Sequence, residues 1–559
     1  MKFSEAPRLI LLMIFAVSLF MLGENWYQQY WPKQESTAVA GKSGGLIGDP
    51  SPIPESASTN VPATVQPRTS SDVADPVAPV PSAVFVVQTD VIKVEISAIG
   101  GDLRRIELLQ HRDTINVERN FLLMDWSAGH TLVAQTGLIG SSLPNHKSVF
   151  AASVSQVVMK DDENEVKLVL TSTDADKPRL TKIYTFARGQ YRIDVSQTIE
   201  NTGASALTPF AYFQLVRDDK APAGDSRWVP TFNGVAQFTE QDKYTKLAFG
   251  DIAKGKAVPV KNSQDGWIGM VQHYFVSAWL PLPGAPKEFF VRALGGGLFA
   301  AGVIVPVGRV EPGRSATWSV PLYAGPQEQK KLASLAPGLD LTVDYGWLTI
   351  IAAPLFWVLS AIHGVVGNWG VAIIIVTVLI KLLFFPLSAA SYKSMAKMRL
   401  MAPKLQKLKE LHGDNKPKLH QAMMDLYKTE KINPLGGCLP IVVQIPVFIS
   451  LYWVLLGTVE MRHAPFMLWV QDLSRPDPFY VLPILMGLSM IIQSRLNPEP
   501  PDPIQAKVMK IMPIAFSVFF FFFPAGLVLY WVINNVLSIA QQWTITRQLE
   551  RVGLGAGKR

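Results

Sequence analysis

Alternation and unbroken apolar runs divide this chain. From Val84 to about Pro326 apolar and polar residues alternate with period two. Ile92, Val94 and Ile96 alternate with Lys93 and Glu95; Val166, Leu168 and Leu170 with Lys167 and Thr171; Tyr191, Ile193 and Val195 with Arg192 and Asp194. Gly100-Gly101-Asp102 and Asn201-Thr202-Gly203 supply turns between such runs. The pattern predicts a large all-β domain over residues 83–326, organised as a sandwich.

Beyond Pro326 the alternation gives way to continuous apolar stretches. Gly370 to Leu387, GVAIIIVTVLIKLLFFPL, is about one membrane span containing a single cation, Lys381. A charge at mid-bilayer costs about 2.5–3.5 kcal/mol on insertion scales. It persists only if it snorkels to the headgroups or faces a wet cavity. The segmentation predicts spans at 365–387, 434–457, 479–495, 507–523 and 527–545. An N-terminal anchor at 1–31, with Lys2 and Arg8 ahead of Leu9–Leu22, makes six. Residues 327–364 form a linker and an amphipathic helix at the membrane surface. If that helix spanned, the basic segment after Leu387 would share a side with the β domain, against the positive-inside tendency.

Charge orders the loops. Residues 388–433 carry Lys393, Lys397, Arg399, Lys404, Lys407 and further lysines, against only Glu410, Asp414, Asp425 and Glu430. Met398, Met401, Leu405 and Leu408, then Leu419, Met423 and Leu426, recur at helical spacing around Gly413-Asp414-Asn415. This predicts a basic cytoplasmic helical hairpin that meets anionic lipid or ribosomal RNA. Residues 458–478 read as an outer loop and 496–506 as a short proline-rich inner one. The basic tail, 546–559, is cytoplasmic by the same rule, so both termini lie inside. The net charge is +8, 48% of the residues are hydrophobic and the mean hydropathy is +0.20, which suits spans joined to a water-exposed domain.

Several kinds of chemistry find no support. The lone Cys438 cannot form an intrachain disulfide or a metal site. His111, His130, His146 and His273 lack metal-ligand spacing. Ala40-Gly41-Lys42-Ser43 resembles the end of a phosphate loop, but Ser36 stands where glycine is needed, within the Ser- and Pro-rich linker 32–82. No cofactor, metal, DNA partner or catalytic residue is expected.

Uncharged polar groups recur in this span and in others: Thr377, Gln444, Tyr530, Asn534 and Asn535. Interhelical hydrogen bonding is their ordinary role. Beside an unpaired cation they suggest a hydrated groove. Such a groove would attract acidic and polar segments of a passing chain, whose apolar segment then leaves for lipid with no nucleotide required. A proton-coupled transporter would usually add intramembrane carboxylates or an inverted repeat. An envelope enzyme acting through the β domain is a third reading.

Gly367-Asn368-Trp369-Gly370, Tyr392-Lys393-Ser394-Met395-Ala396-Lys397-Met398-Arg399, Asn433-Pro434-Leu435-Gly436-Gly437-Cys438 with Pro440, Gln444 and Pro446, and Phe523-Pro524-Ala525-Gly526-Leu527-Val528-Leu529-Tyr530 resemble the YidC/Oxa/Alb family of membrane protein insertases. The resemblance covers the whole chain and is most specific over Leu341–Gln548. It implies a Gram-negative inner membrane, a periplasmic β-supersandwich, insertion and folding of nascent membrane proteins alone or beside the Sec translocon, and no enzymatic activity. It also implies substrate contacts around Gln444, Ile445, Tyr530 and Trp531. The family's groove cation is usually arginine. Lys381 keeps the charge and loses the bidentate fork.

Overall fold

The computed structural model describes residues 83–127, 129–140, 142–222, 231–412, 415–429, 439–497 and 503–556. The expected anchor and linker, 1–82, lie outside the described residues, as do Cys438 and the turn residues Gly413 and Asp414. The chain separates into two compact units. A β unit ends at Asp344 and takes in Gly457–Glu460, and a helical unit holds Tyr345–Leu456 and the chain from Met461 onward.

The β unit is two ten-stranded sheets. Strand Phe210–Asp218 lies inside the first, between Thr131–Ile139 and Leu298–Pro306, with Phe213 opposite Thr136 on one side and Val303 on the other. The second is built around Arg192–Glu200, paired with Arg179–Ala187, and Phe275–Trp279, paired with Leu322–Pro326. All pairings are antiparallel except Val84–Gln88 with Gln156–Val158. The sheets pack face to face through aromatic side chains. Phe121 stacks on Phe275 at 4.1 Å, and Phe213 meets Trp279 edge-on at 5.1 Å. Burying each such ring contributes about 1.5–3 kcal/mol. The expected alternation is visible at the periphery: in Glu165–Ser172 the residues Val166, Leu168 and Leu170 are buried between exposed neighbours.

One polar cluster crosses this apolar core. Lys182 is fully buried and donates to the Gly100 carbonyl at 2.6 Å, the Thr136 carbonyl at 2.9 Å and Thr136 Oγ1 at 2.7 Å. Asp102 accepts from Gln135 Nε2 at 2.8 Å, and Gln214 Nε2 donates to Gln135 Oε1 at 3.0 Å. Burial pushes the Asp102 carboxyl up and pulls the Lys182 amine down, and each group partly holds the other's charge in place.

The helical unit contains α1 (Thr349–Val366), α2 (Trp369–Leu383), α3 (Phe385–Leu400), α4 (Ala402–His412), α5 (Lys416–Thr429), α6 (Leu439–Gly457), α7 (Val481–Leu496), α8 (Pro503–Phe519) and α9 (Ala525–Ala556). Gly367, at φ 67°, ends α1 in the left-handed conformation that favours glycine, and the Asn368 side chain caps α2 by accepting from the Val371 N–H at 3.0 Å. Asn415 caps α5 through the Lys418 N–H at 3.2 Å. Among the described residues Gly346–Val366 is long and apolar enough to cross a bilayer by length and composition, and α2 with Phe385–Met398 passes the same test as a broken pair. Val443–Gly457 and Val481–Leu496 are shorter apolar helices, below the roughly 20 residues of a typical span.

Candidate functional site

The predicted span 365–387 is broken in the structure. α2 stops at Leu383, and α3 leaves at 66°. Pro386 accounts for the break, since it has no N–H to give the Leu382 carbonyl. The break leaves Lys381 in the last turn of α2. Its ammonium turns into the helical unit and donates to Ser538 Oγ on α9 at 2.7 Å. Among the described residues no carboxylate is recorded as its ion-pair partner. A small recess opens beside it, lined by Ile380, Lys381, Phe384, Leu387, Ser388 and Gln444.

α6 and α9 supply the neutral polar side of this site. Gln444 Nε2 donates to Asn534 Oδ1 and, at 3.3 Å, to the Tyr530 hydroxyl. Residues 530, 534 and 538 are four apart, so helical spacing aligns them on one face of α9. Tyr530 is buried, whereas Gln444 and Asn534 are part-exposed. Pro446, two residues after Gln444, gives α6 no N–H at that position. Asn535, on the adjoining face, instead donates to Ser489 of α7 at 3.0 Å, an interhelical bond of the ordinary kind.

The sequence-derived residues therefore separate. Lys381, Gln444, Tyr530 and Asn534 lie around one polar site. Trp531 packs edge-on against Phe448 at 4.5 Å and lies 5.4 Å from Phe520. Ile445 is 48% exposed. Thr377 is 1% exposed and gives its proton to the Ile373 carbonyl of its own helix at 2.6 Å. Sequence reasoning missed Ser538 and Phe448. Ser538 was reachable from the spacing 530, 534, 538; Phe448 had no signal beyond being four residues from Gln444.

A loop closes one end of the helical unit. The Asn368 side chain donates to the Phe466 carbonyl at 2.8 Å, the Ala525 N–H to the Arg475 carbonyl at 2.7 Å and the Gly526 N–H to the Leu473 carbonyl at 3.0 Å. Asp477 accepts from Trp469 Nε1 and from the N–H groups of Phe479 and Leu482, at 3.0, 3.0 and 2.8 Å, fixing the start of α7. His463 and Leu468 both hold positive φ, a strain tolerated where surrounding bonds fix the backbone. Burial pushes the Asp472 carboxyl up, but His463 and Ser474 hydrogen bonds outweigh it and leave it below its ordinary value. Basic α3 and α4 carry the other predicted surface. Lys393, Lys397, Lys404 and Lys407 are exposed there, and Arg399 belongs to α3.

Comparison with known proteins fits both units. The model of the YidC periplasmic domain matches residues 85–358, and that of the 60Kd inner membrane protein matches residues 361–552. The membrane protein insertase YidC of Aromatoleum aromaticum is 55% identical over 555 residues, covering 99% of each chain. That of Methylobacillus flagellatus is 54% identical over 553 residues, covering 98% of each. A crystal structure of an active YidC insertase with its first transmembrane domain resolved aligns at 16% identity and a TM-score of 0.40, over 82% of this chain and 93% of that one. Nothing in these matches favours a solute transporter. On full-length identity and two family models, this chain belongs to the YidC family of membrane protein insertases.

Proposed function

We propose that the chain is a non-enzymatic insertase and folding chaperone for proteins of the bacterial inner membrane, working through a hydrated cationic groove around Lys381. One observation carries the reading: the ammonium turns into the helical unit onto a neutral hydroxyl, with a small recess beside it. A cation held without a neutralising carboxylate attracts the acidic and polar segments that resist entry into lipid. Gln444, Tyr530 and Asn534 offer replacement hydrogen bonds to those segments, and Ile445 and Trp531 line the way to lipid. Short helices such as α7 thin the bilayer locally and shorten the crossing. Burial of the substrate's own apolar segment, about 0.8 kcal/mol per methylene, then drives release sideways.

The topology that fits this reading has six spans and both termini cytoplasmic, with α2, α6, α7, α8 and α9 forming the core and residues 1–31 the anchor. The β unit is periplasmic, and we place α1 along the outer membrane surface because a spanning α1 would put basic α3–α5 on the outside. α4 and α5 form the cytoplasmic hairpin, whose exposed lysines meet anionic lipid and the ribosome. The chain works alone or with the Sec translocon as a partner. The test is charge reversal in cells depleted of the native protein. Lys381→Glu impairs insertion of single-span substrates with acidic outer tails, and Lys381→Arg does not. Normal insertion by the Glu variant overturns the groove mechanism.

A further inference from the structure

A lysine one turn from the end of α2 has a cheap alternative to this site: it can extend its four-carbon stem to the nearby headgroups. Something must hold it in place. The Ser538 hydroxyl gives its proton to the Asn534 carbonyl at 2.7 Å. Its oxygen therefore meets the Lys381 ammonium at 2.7 Å as a pure acceptor. One turn further along α9, Gln541 Nε2 donates to the Phe385 carbonyl at the start of α3 at 3.2 Å. α9 thus holds both sides of the 66° break, Ser538 on the α2 side and Gln541 on the α3 side. Ser538 itself is 3% exposed, too enclosed to serve as a substrate contact.

We propose that Ser538 is the positioning residue of the groove: it keeps the Lys381 ammonium inside the helical unit beside the recess and so sets the preference for acidic substrate segments. This rests on the cationic-groove reading and adds a residue that acts only through Lys381. Losing the hydroxyl frees the ammonium to leave for the headgroups. Substrates with neutral tails, which do not use the cation, are unaffected. A merely structural serine, by contrast, would lower insertion of both substrate kinds alike.

The experiment compares two versions of one single-span substrate, with an acidic and a neutral outer tail, inserted by the full chain. The readout is the ratio of their insertion rates. Ser538→Ala lowers the ratio several-fold, to the level of Lys381→Met, and Ser538→Thr restores it. In the Lys381→Met background Ser538→Ala changes nothing further, because a residue acting only through the lysine has nothing left to act on. Ser538→Cys, a weak acceptor of similar size, reports the same loss if the alanine variant fails to accumulate. An unchanged ratio in Ser538→Ala, with a collapsed ratio in Lys381→Met, overturns the positioning role and leaves the groove reading standing. An unchanged ratio in Lys381→Met overturns both.

Discussion

Replacing Lys182 by methionine tests the physical account of the β unit. Methionine keeps the length of the apolar stem and deletes the ammonium. Three acceptors then lose their donor: the Gly100 carbonyl, the Thr136 carbonyl and Thr136 Oγ1, now bonded at 2.6, 2.9 and 2.7 Å. The contact of the ammonium with the Phe150 ring, 4.8 Å to its centroid, goes too. Buried groups left unpaired cost about 1–3 kcal/mol each. Thr136 can turn its own hydroxyl elsewhere, so a loss of about 3–5 kcal/mol is expected. In a domain of this size each kcal/mol shifts Tm by about 2–4 °C, giving a drop of about 6–20 °C. The assay heats the full chain in detergent, applies a brief protease pulse and quantifies the fragment spanning the β unit. The sign with pH is also fixed. Burial raises the Asp102 carboxyl, and without Lys182 it rises further, so the folded variant binds an extra proton. Its stability therefore falls as pH rises through that raised value, and the deficit is larger at pH 8 than at pH 5. An unchanged or higher Tm would refute the reasoning. It would mean that desolvating the ion costs as much as its bonds return.

Two further predictions concern the loop that closes the helical unit. A Cβ on Gly370 would lie 2.1 Å from Phe466 Cδ2, so Gly370→Ala displaces the loop at a cost of about 1–3 kcal/mol and makes residues 461–478 more sensitive to protease. Asp472, held below its ordinary value in the folded loop, stabilises it above about pH 4, and that contribution is lost as pH falls through the lowered value. Proteolysis of the loop should rise below pH 4 in the parent, and Asp472→Asn should show the same sensitivity already at pH 7.

Much of this was legible in the sequence, for identifiable reasons. Strand Glu165–Ser172 has one face in the core and one in water, so its apolar residues alternate. Gly234–Thr239 and Trp267–Gln272 are buried at every position, and there alternation carries no signal. The outer face of the first sheet adds a second apolar cluster of Val133, Tyr212, Val216, Phe290, Ala300 and Ile304, which hides the pattern in Thr131–Ile139. In the helical unit Pro386 was visible, but the expected span ran through it to Leu387, because hydropathy does not register a bend. The unusual residues of the site, Lys381 and Gln444, stood out against apolar surroundings. Ser538 did not: serine is common in helices, and its role appears only when a residue 157 positions away is brought to its hydroxyl.

The central claim is that the groove beside Lys381 receives the polar part of an entering chain. Site-specific photocrosslinking to a stalled nascent single-span protein with an acidic outer tail tests it most directly. Probes at 445 and 531 should capture the nascent chain, a probe at the exposed position 485 of α7 should capture far less, and Lys381→Glu should abolish the difference. Equal capture from all three positions, or capture unaffected by Lys381→Glu, would contradict the account.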